Sequence, residues 1–219
     1  MCIIAVSKAG TPQPDEATLR RMFDHNPHGA GYMVARGGAV EISKGFMTWA
    51  DFIHAVRYEK FTAADSVVYH FRIATQAGVN PQMTHPFPLS HDLADMERID
   101  CACPIGVAHN GIIQLTTDPS QKRYSDTALF ISKFLSRIVR DRLDLYDPII
   151  LSGIEKLIGW SRLAIMDASG YVATVGEFIT DDNGIMYSNG GFREPPTRSK
   201  RRENYTCIRG FFDDEPFDI

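Results

Sequence analysis

The first third of the chain alternates between short apolar runs and helical patterns. Leu19, Met22 and Phe23 recur at helical spacing and predict an amphipathic helix. The pair Gly37-Gly38 separates two apolar runs and is typical of a β-hairpin turn. Together these patterns predict strands over residues 1–7, 31–36, 39–44 and 66–73, and helices over residues 14–25 and 48–58.

The strongest helical pattern lies in the second half of the chain. Apolar residues recur at helical spacing over 125–140 and predict a largely buried helix. Asp147-Pro148 is a helix start and Gly159 is a helix stop, which predicts a second helix over 147–159. Residues 78–91 are predicted to be a proline-rich loop, and strands are predicted over 105–108, 162–166, 171–175 and 185–188. Paired helices around antiparallel strands favour an α+β fold over a doubly wound parallel sheet.

Composition narrows the class of protein. Of the 219 residues, 44% are hydrophobic and 23% are charged, which is typical of a globular protein with a full core. The net charge of −4 argues against a protein that binds nucleic-acid backbones. Neither an apolar run of about 18 residues nor a signal peptide is recognisable, so we expect a cytoplasmic protein with no membrane partner. We expect one domain over residues 2–191 and a polar, mobile tail over 192–219.

The cysteines do not form a disulfide framework in sequence. There are four of them, at Cys2, Cys101, Cys103 and Cys207, which is too few and too scattered, so we expect free thiols. The spacing of Cys101-Ala102-Cys103 is not that of a zinc knuckle, and no second pair exists. We therefore interpret this pair as packing or loop residues.

Cys2 is the first candidate for chemistry. If Met1 is removed, the thiol and a free α-amine belong to the same residue. The α-amine titrates near pH ~8 and the thiol near ~8.5, so the amine can act as the base for its own side chain. Such a nucleophile needs no histidine partner.

Three further motifs carry candidate binding groups. Arg72 ends an apolar strand and is suited to a bidentate grip on a carboxylate, although a surface salt bridge is an equal alternative. Asn110-Gly111 offers an amide and a backbone N–H to one oxyanion, or else forms an ordinary hairpin turn. Asp126 could hold an ammonium group, while Ser125 beside it is a candidate helix cap.

In this order, the motifs resemble one family. They are Cys2-Ile3-Ile4-Ala5, Asn26-Pro27-His28-Gly29-Ala30-Gly31, His70-Phe71-Arg72-Ile73-Ala74-Thr75, His85-Pro86-Phe87, His109-Asn110-Gly111, Ser125-Asp126-Thr127 and Ser188-Asn189. Over roughly residues 2–191, the chain resembles the glutaminase domain of the class II glutamine amidotransferases, which are N-terminal nucleophile hydrolases.

The resemblance implies a four-layer αββα sandwich of two antiparallel sheets. It also implies hydrolysis of the side-chain amide of L-glutamine, with neither metal nor organic cofactor. The implied roles are nucleophile for Cys2, oxyanion donors for Asn110 and Gly111, carboxylate partner for Arg72, ammonium partner for Asp126 and pocket lining for Thr75 and His85.

The partner and two alternatives stay open at this stage. About 30 residues follow the domain, too few for a synthase, so we expect either a separate ammonia-accepting enzyme or a free-standing amidase. The alternatives are an N-terminal-cysteine acylase that acts on another amide and a binding module of the same fold without turnover. Arg72 and Asp126 favour an amino-acid substrate, because only such a substrate needs both charge partners.

Overall fold

The computed structural model describes residues 1–74, 78–115 and 118–194. The strands are β1 (Ile3–Ser7), β2 (Ala30–Arg36), β3 (Ala39–Phe46), β4 (Val67–Phe71), β5 (Phe87–Pro88), β6 (Asp100–Cys103), β7 (Ile105–Asn110), β8 (Arg162–Asp167), β9 (Val172–Val175), β10 (Ile179–Thr180) and β11 (Met186–Tyr187). The α-helices are α1 (Glu16–His25), α2 (Trp49–Glu59), α3 (Asp126–Phe130), α4 (Ser136–Ile138) and α5 (Pro148–Ile158). A π-helical stretch, Ile131–Leu135, joins α3 to α4.

The strands form two antiparallel sheets. The larger has the order β10-β11-β1-β4-β2-β3-β6, and the smaller has the order β5-β7-β8-β9. Each pairing is antiparallel, as in the registers Ala5↔Tyr69 and Val107↔Ile165. The predicted α+β class with antiparallel sheets is therefore confirmed.

Strand alternation decides which side chains lie between the sheets. Ile4 and Val6 of β1 pack with Ala164 and Met166 of β8 in one apolar cluster, which joins the two sheets. The intervening residue Ala5 points the other way, into a cluster on the outer face of the larger sheet. The sheets therefore bury one face against each other.

Helices cover the outer faces of both sheets. Met22 and Phe23 of α1 and Phe52 of α2 lie in the outer cluster of the larger sheet. Leu129 of α3 and Ile154 of α5 lie in the outer cluster of the smaller sheet. Each sheet thus has one face against its partner sheet and one against helices.

Capping and turn residues in the sequence predicted the ends of α1, α2 and α5 and of the β2–β3 hairpin to within about two residues. Asp15 and Thr48 cap α1 and α2, because their side chains accept hydrogen bonds from the backbone N–H groups of Thr18 and Asp51. The Gly37-Gly38 turn joins β2 to β3 as predicted. The elements absent from the sequence prediction are β5, β6 and β10, which have two to four residues each and lack an apolar alternation.

Two predicted elements in the second half are present but differ in extent or regularity. The helix predicted over 125–140 is interrupted by the π-helical stretch and ends at Ile138. The strand predicted over 105–108 runs on as β7 to Asn110, which pairs with Arg162, so Asn110-Gly111 is not a hairpin turn. Burial on both faces hid the end of β7, because a strand inside two layers shows no polar alternation.

The described residues extend three positions beyond the predicted domain end at 191. Phe192 stacks on Tyr187 with ring centroids 3.8 Å apart, and Glu194 lies 3.7 Å from the guanidinium of Arg21. The rest of the predicted tail, 195–219, lies outside the described residues. In the described part of the chain, no helix has the length and apolar character needed to cross a bilayer.

Gly31 of β2 yields a stability prediction. A Cβ there would meet the carbonyl oxygen of His85 and lie 2.6 Å from Cβ of Lys44, so Gly31→Ala must push backbone apart. We expect it to lower the free energy of unfolding by about 2 kcal/mol or more in urea titrations. The control is Gly153→Ala in α5, where no atom lies within 4 Å of the added Cβ and a gain of about 0.5–1 kcal/mol is expected. Equal effects at the two sites would contradict this account.

Candidate active site

Side chains from four distant parts of the chain border one small cavity. Its lining consists of Cys2, Arg72, Ile73, His85, His109, Gly111, Ser125, Asp126 and Thr127. Cys2 precedes β1, Arg72 follows β4, Gly111 follows β7 and Asp126 begins α3. The ends of three strands and one helix therefore bring four of the predicted site residues together, and the loop before β5 adds a fifth, His85. A larger hollow of about 400 Å³ beside Tyr32 and Glu59 contains none of them.

The cavity itself is narrow. Its volume is about 20 Å³, which is room for one water molecule. An amino-acid ligand therefore needs the lining side chains to separate.

Cys2 is buried at this cavity. Its Sγ accepts a hydrogen bond from the backbone N–H of Ile73 at 3.3 Å. Burial raises the pKa of the Cys2 thiol above its ordinary value, and the Ile73 N–H, the Arg72 charge and the chain terminus oppose this rise. With Met1 in place, the thiol is therefore protonated at neutral pH and needs a base before it can act as a nucleophile.

Both backbone polar groups of Arg72 form hydrogen bonds with the segment before β2. Its N–H donates to the Gly29 carbonyl at 2.8 Å, and its carbonyl accepts from the His28 N–H at 3.0 Å. Its guanidinium Nη1 donates to the Gly78 carbonyl at 2.9 Å. The residue is 3% exposed, and burial lowers the pKa of Arg72, while Cys2 and Asp126 raise it. The surface salt bridge considered from sequence is therefore not its environment.

Asp126 joins the loop after β7 to the start of α3. Its Oδ2 accepts from the Ile113 N–H at 2.7 Å, and its Oδ1 accepts from the Thr127 N–H at 2.8 Å. Ser125 caps the helix instead, because its Oγ accepts from the Ala128 N–H. Thr127 Oγ1 also lies 3.4 Å from Oδ1, so the carboxylate of Asp126 is fixed at the cavity.

Asn110 is completely buried and does not border the cavity. Its Nδ2 donates to Ser188 Oγ at 2.9 Å, and its Oδ1 has no hydrogen-bond partner. Ser188 Oγ also accepts from the Ile4 N–H at 2.9 Å. The predicted oxyanion amide is therefore oriented by Ser188.

The residues Ser188 and Asn189 were quoted in the resemblance but not predicted to lie at the site. Asn189 Nδ2 donates to the Cys2 carbonyl at 2.7 Å, and Ser188 holds Asn110 as described. These contacts span most of the sequence, because β11 pairs with β1. The dipeptide therefore positions both the predicted nucleophile and the predicted oxyanion amide.

Three buried histidines form one hydrogen-bonded chain, which was not predicted from the sequence. His70 Nε2 lies 2.9 Å from the His109 carbonyl oxygen and 2.7 Å from His85 Nδ1, and His109 Nδ1 lies 2.7 Å from Thr127 Oγ1. Because a carbonyl can only accept, His70 carries its proton on Nε2 and His85 Nδ1 is an acceptor. The proton of His85 is then on Nε2, which has no protein partner and belongs to a residue that borders the cavity. The sequence did hint at this chain, because His70 begins the motif that contains Arg72 and His109 begins the motif that contains Asn110.

Burial keeps these histidines neutral. It lowers the pKa of His70 to about 3 and that of His109 to about 4, and it lowers the pKa of His85 well below the usual range. The neighbouring Arg72 charge lowers the pKa of His70 and His85 further. The cavity thus combines a buried thiol, one cation, one anion and neutral hydrogen-bond donors.

Two further predictions concern Thr75 and metal binding. Thr75 lies outside the described residues. Within 1–74, 78–115 and 118–194, no three His, Cys, Asp or Glu side chains are arranged to hold a metal ion.

The histidine chain predicts acid sensitivity of the fold. Because the folded-state pKa of His70 is about 3 and the unfolded value is about 6.5, the unfolded chain binds more protons between these values. The free energy of unfolding should therefore fall as pH drops from 7 to 5, by about 2 kcal/mol for His70 alone. In urea titrations at the two pH values, His70→Gln should remove this part of the loss.

The exposed His54 provides the matched control. His54→Gln should leave the difference between pH 7 and pH 5 unchanged. If both variants behave alike, the buried histidine chain is not the source of the acid sensitivity.

Comparisons with protein-family models and with curated proteins gave no match to this chain. The functional assignment therefore depends on the ordered motifs and on the geometry of the cavity.

Proposed function

We propose that the protein is a glutaminase of the class II glutamine amidotransferase type, which hydrolyses L-glutamine to glutamate and ammonia with Cys2 as nucleophile. One observation carries this proposal: Cys2, Arg72, Gly111 and Asp126 are separated by up to about 120 residues and border the same cavity. A chance set of motifs would not converge in this way.

The layer order supports the finer fold assignment. Apolar clusters lie between helices and sheet, between the two sheets, and between sheet and helices again. This is the order of the four-layer αββα sandwich of N-terminal nucleophile hydrolases. In that fold, the nucleophile begins the first strand of a central sheet, which is the position of Cys2 before β1.

The nucleophile obtains its base from its own residue. Removal of Met1 frees the α-amine of Cys2, which accepts the thiol proton directly or through one water. The sulfur then attacks the side-chain carboxamide carbon of glutamine. The Ile73 N–H, which already donates to Sγ, favours the thiolate during this step.

The two charges at the cavity match the two charges of a free amino acid. Arg72 pairs with the α-carboxylate of glutamine, and Asp126 pairs with its α-ammonium group. Both side chains are less than 7% exposed, so each ion pair is formed in a largely dehydrated site. This requirement favours glutamine over an amide that lacks an α-amino-acid head, and so argues against the general acylase.

Hydrogen-bond donors at the end of β7 stabilise the negative charge that develops on the carboxamide oxygen. The Gly111 N–H borders the cavity and is the first donor, and Asn110 Nδ2, which donates one hydrogen to Ser188 Oγ, supplies its second hydrogen once the lining side chains separate. Ammonia then leaves, and water hydrolyses the γ-glutamyl thioester. A separate acceptor enzyme would consume the ammonia.

The direct test measures ammonia release from L-glutamine together with the intact mass of the protein. We expect turnover in protein that begins at Cys2, and a loss of at least about a thousandfold in Cys2→Ser. The control is an alanine inserted between Met1 and Cys2, which keeps the thiol but moves the α-amine to another residue. Full activity of the insertion variant, or no ammonia from protein with a free Cys2 amine, would refute the proposal.

Two further variants separate turnover from binding. Asn110→Ala should lower kcat by about 10²- to 10³-fold with little change in KM, because its amide meets charge only in the tetrahedral state. Asp126→Asn should instead raise KM, because it removes the partner of the ammonium group but keeps an acceptor for the Ile113 N–H. Normal kcat in the first variant and normal KM in the second would leave both residues structural.

A further inference from the structure

Two thiols that the proposed reaction does not use lie side by side on β6, the edge strand of the larger sheet. Cys101 and Cys103 are half-buried and alternate with the exposed residues Asp100 and Ala102, so both thiols point to the same side. Both contact the apolar cluster between the sheets. We propose that Cys101 and Cys103 form a redox-active dithiol, which a small-molecule disulfide converts reversibly into an intramolecular disulfide.

The separation of the two residues is at the limit for this bond, so β6 must bend for the bond to close. Two residues along a strand span about 6.6 Å, which is at the upper end of the roughly 4.4–6.8 Å between Cα atoms joined by a disulfide. The two thiols interact with each other, and the Cys103 S–H also has the Ile105 carbonyl oxygen as an acceptor at 3.2 Å. A disulfide at this limit is strained, so thiols reduce it readily.

The two sulfurs differ in acidity. The hydrogen bond from Cys103 lowers the pKa of Cys101 to about 7, and the nearby Lys44 and Arg98 lower it further against the effect of Asp95. Sharing that hydrogen bond and burial raise the pKa of Cys103. Cys101 is therefore the attacking thiolate, and Cys103 is the thiol that closes the bond.

A reagent can reach this pair. Both cysteines border a hollow of about 210 Å³ at the edges of the two sheets, between β5 and β6. Ser90, Asp95 and Arg98 also border it; Ser90 Oγ donates to Asp95 Oδ2 at 2.7 Å, and Arg98 Nε lies 3.4 Å from Asp95 Oδ1. The hollow thus gives a small disulfide reagent access to both sulfurs.

The reaction takes two exchange steps. The Cys101 thiolate attacks one sulfur of the small disulfide, so that a mixed disulfide forms and one small thiolate leaves. Cys103 then loses its proton to solvent, attacks the Cys101 sulfur and releases the second small thiolate. The protein dithiol gives up two electrons, and the small disulfide accepts them.

The site is separate from Cys2. Burial raises the pKa of Cys2, whereas the pKa of Cys101 is about 7, so a general alkylating reagent at neutral pH should modify Cys101 before Cys2 in protein that retains Met1. A substrate-like electrophile directed by Arg72 and Asp126 should still select Cys2. The redox proposal can therefore be tested independently of the proposed glutaminase activity.

The test treats the full-length reduced protein with oxidised glutathione and follows its intact mass. We expect a product that is two hydrogen atoms lighter, carries no glutathione, and has the new bond within the peptide containing residues 101–103. Cys103→Ser should stop at a stable glutathione adduct on Cys101, and Cys101→Ser should react at least about tenfold more slowly. Dithiothreitol should restore the reduced mass.

Other products would overturn the proposal. These are an unchanged mass, a lasting glutathione adduct on the wild-type pair, or a disulfide that involves Cys2 or Cys207. Circular dichroism of both serine variants checks their folding, and Cys101→Ala and Cys103→Ala replace any variant that is misfolded.

Discussion

One hydrogen bond between the sheets determines the geometry of the site. His70 on β4 donates from Nε2 to the carbonyl of His109 on β7, across the interior that separates the two layers. That carbonyl belongs to the peptide group that leads into Asn110, so the bond fixes the end of β7 relative to the strand that carries Arg72. Because the donor is neutral and inaccessible to water, the bond lacks competition from solvent. The sheet that carries Cys2 and the sheet that carries Asn110 are thereby held in register.

The remaining contacts of the site extend from this connection. Gly31 lets the His85 backbone approach β2 and β3, which puts the His85 ring against His70. Asp126 ties the segment after β7 to α3, and Asn189 holds the carbonyl of Cys2. Each bond is made by a polar group whose burial requires a partner. Loss of any one of them would leave a buried polar group unpaired as well as displacing a site residue.

The two reactive thiols illustrate how environment divides chemistry within one chain. Cys2 is buried at a polar cavity, and in the proposed reaction its activation depends on its own α-amine and one backbone N–H. Cys101 lies at a sheet edge, where a second thiol and nearby cations stabilise its anion. We therefore propose acyl transfer for one cysteine and thiol–disulfide exchange for the other.

The sequence by itself determined the long helices, the hairpin and the identity of the candidate nucleophile and charge partners. Helix caps such as Asp15 and turns such as Gly37-Gly38 act within a few residues, so their physics can be read from neighbouring positions. The tertiary structure alone decided which buried groups meet. The histidine chain and the contacts of Ser188 depend on strand order and on which side chains share a face. Strand order reflects packing between segments up to about 180 residues apart, and no local pattern encodes it.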